Sequence, residues 1–314
     1  MIRQAAIQQL AARYGGRARA EAYLEFAQEH FLDWCEAEHL FDDDSLVFKG
    51  GTAIRKFVLG DQGRFSTDLD FAVSDWAFAD HMLEQLRGDG VSHQGVRMWV
   101  TGVDVEARKA VWRAQADGID GPTIEARIEF TTRPLMLAPS RLARAPIFGV
   151  DARWLGFAPA SPPVANLVET IAEKLARFRR QAKGRDVYDL ALIAPRMRDR
   201  LDILREVFAF KVYFDEVEDG LHGPVPFEGG RHVVGRRARD VVGGEDLGLL
   251  TAGALQSMSC SAPSRWSTCG WASHGARSRR RWRPATRVIT SEPSSGSTND
   301  PSSCGRSWLP SRAS

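Results

Sequence analysis

Two aspartates separated by one residue are the side chains in this sequence best suited to chemistry, and they lie in the stretch RFSTDLDF at positions 64–71. The surrounding residues predict a β-strand, in which Asp68 and Asp70 point to one face while Leu69 points to the other. Two carboxylates on one face of a rigid strand repel each other unless a divalent cation bridges them. Mg²⁺ suits such a pair, because it binds carboxylates and substrate phosphates together. A lone D-x-D pattern is weak evidence for such a site.

A glycine pair lies upstream, in the stretch LVFKGGTAIRKFVL at positions 46–59. LVF predicts a short buried strand and AIRKFVL predicts a helix, so Gly50 and Gly51 occupy a strand-to-helix turn. Glycines at this place let the backbone approach a ligand and direct N–H groups at phosphate oxygens, helped by the helix N-terminus. The G-x-x-x-x-G-K-[ST] spacing of a P-loop is absent. Taken alone, the glycines fit a tight strand-to-helix turn without a ligand better than a phosphate site.

Along the chain, the predicted elements change from a mixture of strands and helices to helices. Alternating residues predict strands within 96–130, and in TIEARIEF the side chains of Glu125 and Glu129 share one face. Apolar residues at helical spacing predict the other elements. Strands are predicted over 46–48 and 65–73; helices are predicted over 3–13, 20–38, 53–59, 76–88 and 164–180, from 185 onward and over 199–218.

Strand, glycine pair, helix and D-x-D strand together resemble the signature of the polymerase-β-like nucleotidyltransferases. More narrowly, KGGTAIRK and RFSTDLDF resemble the nucleotidyltransferase toxins of the AbiEii/AbiGii family, which includes the mycobacterial MenT group. A second stretch, EKLARFRRQAKGRDVYDL at 173–190, is similar to the helical motif of that family, written EKL-x-A … R-D-x-Y-D-L. The resemblance covers residues 20–220.

The resemblance implies an α+β fold. A polymerase-β-like nucleotidyltransferase domain, a mixed sheet with flanking helices, is followed by a helical domain and a disordered or irregular basic C-terminal tail. Three prolines, the first of them Pro159, mark a linker. We therefore expect a nucleotidyltransferase domain at 1–158, a helical domain at 159–256 and a tail at 257–314.

The resemblance also implies roles for particular residues. Asp68 and Asp70 would coordinate Mg²⁺ (or Mn²⁺), and the glycine motif would hold a nucleoside triphosphate (NTP). The predicted catalytic residues are Asp68, Asp70, Glu129, Lys174 and Asp186, and the predicted nucleotide-binding residues are Gly50, Gly51, Thr52, Arg55, Ser66, Lys174 and Asp189. Glu129 is the preferred third carboxylate, with Glu125 and Asp104 as alternatives; each of them also fits an exposed strand position.

Two residue assignments keep an alternative. Lys174 lies at the edge of the apolar face of its helix, where it either reaches a cleft or snorkels to solvent. Asp186 and Asp189 share a helix face, so one of them could instead be structural, paired with Arg185 or Arg180.

The implied function is that of a Mg²⁺-dependent toxin with a cognate AbiEi-type antitoxin. It would transfer nucleotides from an NTP to an RNA hydroxyl, for some family members the tRNA 3′ end, and thereby block translation. An alternative enzyme activity is nucleotidyl transfer to a small-molecule or protein hydroxyl. An alternative of another class is an inactive binding or regulatory module, which the intact GGT and DLD motifs disfavour.

Composition separates the tail from the rest of the chain. The whole sequence has a net charge of +2, but residues 257–314 contain nine arginines, no lysine, 16 serines and two acidic residues. This segment lacks apolar periodicity and predicts disorder. Its composition is also typical of out-of-frame translation of GC-rich DNA, with a nucleic-acid-binding arm as the alternative. Because no secretory signal or membrane-length apolar stretch is present, we expect a cytoplasmic protein without a membrane partner.

Overall fold

The strand that carries the two aspartates lies inside a mixed β-sheet in the computed structural model of the chain. The structure describes residues 2–13, 19–105, 107–118, 123–147, 150–181 and 183–221. Within these ranges the sheet has eight strands in the order β3-β4-β5-β6-β2-β1-β8-β7. The strands are β1 (Leu46–Lys49), β2 (Asp68–Val73), β3 (Val91–His93), β4 (Val96–Asp104), β5 (Lys109–Ala116), β6 (Ile124–Thr131), β7 (Ser140–Arg141) and β8 (Pro163–Val164). The pairs β2–β6 and β1–β8 are parallel and the others are antiparallel.

Helices flank the sheet and dominate the later part of the described chain. They are α1 (Gln4–Arg13), α2 (Arg19–Ala37), α3 (Gly50–Ile54), α4 (Trp76–Gln85), α5 (Ala152–Leu155), α6 (Leu167–Arg180), α7 (Gly184–Ile193) and α8 (Leu201–Tyr213). π-Helical turns follow α3 at Arg55–Leu59 and α8 at Phe214–Glu218. No helix in the described ranges is both long enough and apolar enough to span a membrane.

The main core lies between α2 and one face of the sheet. Phe31 of α2 contacts Phe71 of β2 and Trp112 of β5, with ring centroids 6.2 and 5.3 Å apart. Because side chains alternate along β2, Leu69 and Phe71 are buried in this core while the two aspartates face the other side. The core therefore determines the direction in which the aspartates point.

A second core holds the three later helices together. The apolar stripe of α6, which includes Val168 and Ile171, packs against residues of α7 and α8. Ile54 of α3 and Leu59 of the following π turn are part of the same cluster. The segment after the glycine turn thus anchors the helices beside the sheet.

Most predicted elements are confirmed, with some differences at their ends. The predicted helix over 53–59 is instead the end of α3 followed by a π turn, which buries both Arg55 and Lys56 against Glu25. The proline-rich stretch near 163 contains β8, which pairs in parallel with β1. The domain boundaries at 158 and 256 stay predictions. Residues 257–314 lie outside the described residues.

Candidate functional site

The glycine turn is built around a conformation that only glycine adopts without strain. Gly50 has φ +78°, and a Cβ atom at this position would overlap the carboxylate of Asp70. A Cβ at Gly51 would lie 2.7 Å from Arg64 Nη2 and 2.9 Å from Ser66 Oγ. The backbone of the turn therefore contacts the aspartate strand and the loop before it directly.

The register of four strands aligns charged residues beside this turn. Asp70 on β2 is paired with Lys49 on β1 and with Glu129 on β6. Glu129 is in turn paired with Lys109 on β5, and Lys109 Nζ lies 3.1 Å from Glu129 Oε1. Because residues directly opposite on neighbouring strands point to one face, the four side chains form a row across the sheet.

Within this row, the negative charge of Asp70 is poorly compensated. Burial, the carboxylate of Glu129 and the carboxylate of Asp68 raise the pKa of Asp70 to about 6, and the nearby Lys49 only partly offsets them. A negative charge at this place is therefore unfavourable until a cation reaches it.

Asp68 is partly neutralised by an arginine from α7. Arg185 Nη1 lies 3.6 Å from Asp68 Oδ2, and Thr67 donates a hydrogen bond to Asp68 Oδ1. The hydroxyl of Thr52, which sequence analysis assigns to the nucleotide, donates to the Asp68 backbone carbonyl and is fully buried. In this structure Thr52 joins α3 to β2.

Lys174 lies in a buried cluster of charges. Its Nζ is 3.0 Å from Asp186 Oδ1 and 2.9 Å from Asp189 Oδ2. Arg177 binds Asp186 at 2.8 Å, and Arg64 binds Asp189 at 3.0 Å. Burial raises the pKa of Asp186, but the charges of Lys174 and Arg177 outweigh it and lower that pKa to about 2.

Two alternatives left open by the sequence are thereby decided. Neither Arg185 nor Arg180 is the partner of Asp186 or Asp189 in an ion pair, since Arg185 reaches Asp68 and Arg180 Nε binds Asp215 Oδ2 at 2.9 Å. Lys174 is 3% exposed, so it does not snorkel to solvent.

The side chain of Arg55 is directed toward Glu25 and the Gly63 carbonyl. Its side chain is 1% exposed, pairs with Glu25 of α2, and donates to the backbone carbonyl of Gly63. It is not among the residues that line the pocket described next. Arg55 was assigned to the nucleotide by sequence analysis, but the π turn directs its side chain into the interior.

A pocket of about 250 Å³ opens beside the charged row, between the sheet and helices α6 and α8. Four predicted site residues line it: Gly50, Asp70, Glu129 and Lys174. Gly51, Ser66, Asp68, Asp186 and Asp189 do not line the pocket, but Asp186 and Asp189 pair with Lys174 in its wall. Of the alternative third carboxylates, Glu125 pairs with Arg113 on the exposed strand surface and Asp104 caps the turn after β4.

Several pocket residues were missed by sequence analysis. The lining includes five cationic residues that it did not assign to the pocket, Lys49, Arg133, Arg177, Arg180 and Lys211, and the carboxylate of Glu173. The sequence could have indicated two of these residues, because Lys49 directly precedes Gly50 and Glu173 directly precedes Lys174. Arg133 follows β6, Arg177 and Arg180 follow Lys174 on α6, and Lys211 is brought in by the packing of α8.

The comparisons with known proteins agree with this geometry. The family model of the nucleotidyl transferase AbiEii toxins of type IV toxin–antitoxin systems matches residues 34–241, so the chain belongs to that family. Among solved structures it is similar to MenT4, a nucleotidyltransferase toxin from Mycobacterium tuberculosis H37Rv. The two share 31% identity over 83% of this chain and 96% of that chain, with a TM-score of 0.64. No curated protein matches the chain.

The protein is therefore a nucleotidyltransferase of α+β fold and a toxin of a toxin–antitoxin system, as the sequence predicted. Membership of this family implies an NTP as substrate and an antitoxin as partner.

The site residues also fit the divalent metal that such enzymes usually use. In the described ranges, no group of three or more His, Cys, Asp or Glu side chains is placed to hold a metal ion by itself. Asp68 and Asp70 nevertheless offer hard oxygen ligands on one strand, and the raised pKa of Asp70 shows a charge that lacks sufficient compensation. Such a partial set matches Mg²⁺, which takes one or two carboxylates and completes its shell with water and substrate phosphates.

Proposed function

We propose that the protein transfers nucleotides from an NTP to an RNA hydroxyl, with the tRNA 3′ end as the acceptor, in a Mg²⁺-dependent reaction. A tRNA extended in this way would not be aminoacylated, and translation would stop. The observation that carries the proposal is the position of Asp70. It lies between Lys49 and Glu129 on one sheet face and against the backbone of Gly50.

The site residues would have separate roles in an in-line displacement at the α-phosphate. Mg²⁺ held by Asp68 and Asp70 would neutralise the triphosphate. The N–H groups of the Gly50–Gly51 turn would bind phosphate oxygens. Glu129 would accept the proton of the attacking hydroxyl, while pyrophosphate leaves.

The cation cluster on α6 would stabilise the charge on the phosphates. Lys174 is held between Asp186 and Asp189, so its position is set before the substrate arrives. Ordered donors of this kind stabilise a transition state without reorganisation during the reaction. Ser66, which lies next to Gly51, would support the same phosphates.

An RNA acceptor fits the charge of the pocket wall. Arg133, Arg177 and Arg180 line the pocket. Lysine and arginine side chains bind phosphodiester oxygens, which an RNA carries on the 5′ side of its 3′-terminal nucleotide and along the rest of its chain. A cognate AbiEi-type antitoxin would control this activity.

Incubation of the purified chain with total tRNA, Mg²⁺ and each of the four α-³²P-labelled NTPs tests the proposal. We expect label at the 3′ end of tRNA, lost after chelation with EDTA and restored by added Mg²⁺. Asp68→Ala should abolish labelling, whereas Asp89→Ala, which removes an exposed aspartate paired with Arg97, should not.

Oxidation of the tRNA 3′ end with periodate should also abolish labelling. Label on protein or on a small molecule, with none on RNA, would assign a different acceptor. If no RNA is labelled and the Asp68→Ala variant inhibits growth on expression as strongly as the unchanged chain, the tRNA-toxin proposal is wrong.

A further inference from the structure

A line of alternating charges leads from the interior of the helices to the glycine turn. Glu169 of α6 is fully buried, and its carboxylate lies 2.5 Å from Lys211 Nζ of α8. Lys211 also lies 3.2 Å from Glu173, and both oxygens of Glu173 accept from Lys49, at 2.8 and 3.0 Å. Four side chains from three elements thus join the residue before Gly50 to the interior of the helical region.

Lys49 is placed beside the reacting groups but bound elsewhere. It is the register partner of Asp70 and lines the same pocket as Gly50 and Asp70. Its ammonium group is nevertheless paired with Glu173, on the opposite wall of that pocket. An ammonium group on a flexible stem changes partners readily, and phosphate oxygens are strong acceptors for it.

Glu173 keeps a partner if Lys49 leaves. A buried carboxylate that loses its only cation is strongly unfavourable. Lys211 lies 3.2 Å from Glu173, and its contact with Glu169 holds it in that position. The ion pair between Lys49 and Glu173 can therefore open while Glu173 keeps a cationic contact.

We propose that Lys49 is a further polyphosphate-binding residue, released from Glu173 to the NTP when the nucleotide binds, while Lys211 retains Glu173. This inference rests on the proposed function, because it takes an NTP as the ligand. Nucleotide and Glu173 compete for one ammonium group. The site thereby selects triphosphates, whose charge is large enough to displace a carboxylate, over monophosphates.

Calorimetric titration of the full chain with the α,β-methylene analogues of ATP, GTP, CTP and UTP, in Mg²⁺, tests the inference. These analogues cannot be cleaved at the α-phosphate, so binding is measured without turnover. The analogue that binds most tightly is then compared with its nucleoside monophosphate. We expect Lys49→Met to weaken triphosphate binding about tenfold, the loss of one charge-assisted contact, and monophosphate binding less than about twofold.

A second variant tests whether the nucleotide and Glu173 compete for the ammonium group of Lys49. Glu173→Gln should tighten triphosphate binding about threefold in the otherwise unchanged chain, because Lys49 is then free to leave, and should not tighten it when combined with Lys49→Met. Lys49→Arg should keep the preference for triphosphate. Arg113→Met, which removes an exposed cross-strand ion pair with Glu125, is the matched control and should change neither affinity.

Each outcome decides the inference. If the unchanged chain binds none of the four analogues, the proposed function and the inference both fail. If it binds one and Lys49→Met binds that analogue equally well, only the role of Lys49 is wrong. If Lys49→Met does not fold, the Glu173→Gln result decides alone: unchanged or weaker triphosphate binding overturns the inference.

Discussion

Asp70 and Glu129 face each other on the parallel strands β2 and β6, and their carboxylates share one face of the sheet. Two like charges in register destabilise a fold. This pairing therefore costs stability, and a role in the chemistry of the site accounts for its presence.

Removing the charge at Glu129 distinguishes its role in catalysis from its effect on stability. Glu129→Gln should lower the rate of nucleotidyl transfer about a hundredfold or more, because the acceptor hydroxyl loses its base. The variant should be at least as stable as the unchanged chain in urea unfolding. Glu125→Gln, on the same strand and face but paired with Arg113 at the surface, is the control and should keep full activity. Equal losses in both variants would argue against Glu129 as the base.

The glycine turn allows a second matched comparison. Gly50 and Gly88 both have positive φ, +78° and +62°, so alanine at either position should destabilise the fold by about 1–2 kcal/mol. Only at Gly50 would the new Cβ displace Asp70, since nothing lies within 4 Å of a Cβ at Gly88. Labelled transfer should be lost in Gly50→Ala and retained in Gly88→Ala. Activity in Gly50→Ala would show that the turn tolerates a shift of Asp70.

Arg55 should behave as a structural residue. Arg55→Met leaves Glu25 with less compensation in the interior and removes the bond to the Gly63 carbonyl, so it should destabilise the fold by about 3–5 kcal/mol. The Michaelis constant for NTP, measured at low temperature on folded protein, should not change. Arg87→Met, which opens an exposed pair with Glu84, should lower stability by less than about 1 kcal/mol. A raised Michaelis constant with unchanged stability would restore Arg55 to the nucleotide site.

His30 should make stability depend on pH. It is fully buried on α2 against Phe157, and burial, together with the nearby charge of His93, lowers the pKa of His30 to about 3. Between pH 6.5 and 3 the unfolded chain binds a proton that the folded chain does not, so stability falls as pH falls. From pH 7.5 to pH 5 this amounts to about 2 kcal/mol.

Urea unfolding of the unchanged chain and of His30→Leu at both pH values measures the effect. The free energy of unfolding of His30→Leu should fall by about 2 kcal/mol less over this range than that of the unchanged chain. Parallel declines in the two proteins would show that His30 is not responsible.

Local patterns predicted the parts of the site that lie within one or two adjacent elements. Alternation along β2 placed Leu69 and Phe71 in the core and the aspartates on the other face, and the structure agrees. Glu129 was chosen over Glu125, and the register then placed Glu129 opposite Asp70. The α+β fold and the toxin family followed from motifs that are contiguous in sequence.

Contacts between distant elements were not predictable in this way. Lys49, Glu173 and Lys211 meet only because α6 and α8 pack beside β1, and no periodicity in the sequence encodes that docking. Arg55 shows the opposite error. Arg55 was assigned to the nucleotide, but the π turn directs its side chain toward Glu25.

The pocket is lined by residues from Lys49 on β1 to Asp215 after α8. A chain that is still being synthesised has therefore formed the glycine turn and the aspartate strand long before it possesses the opposite wall. The residues of that wall are added later, and they include Lys211, which lies 3.2 Å from Glu173. The pocket of a nascent chain is consequently incomplete until α8 has been synthesised.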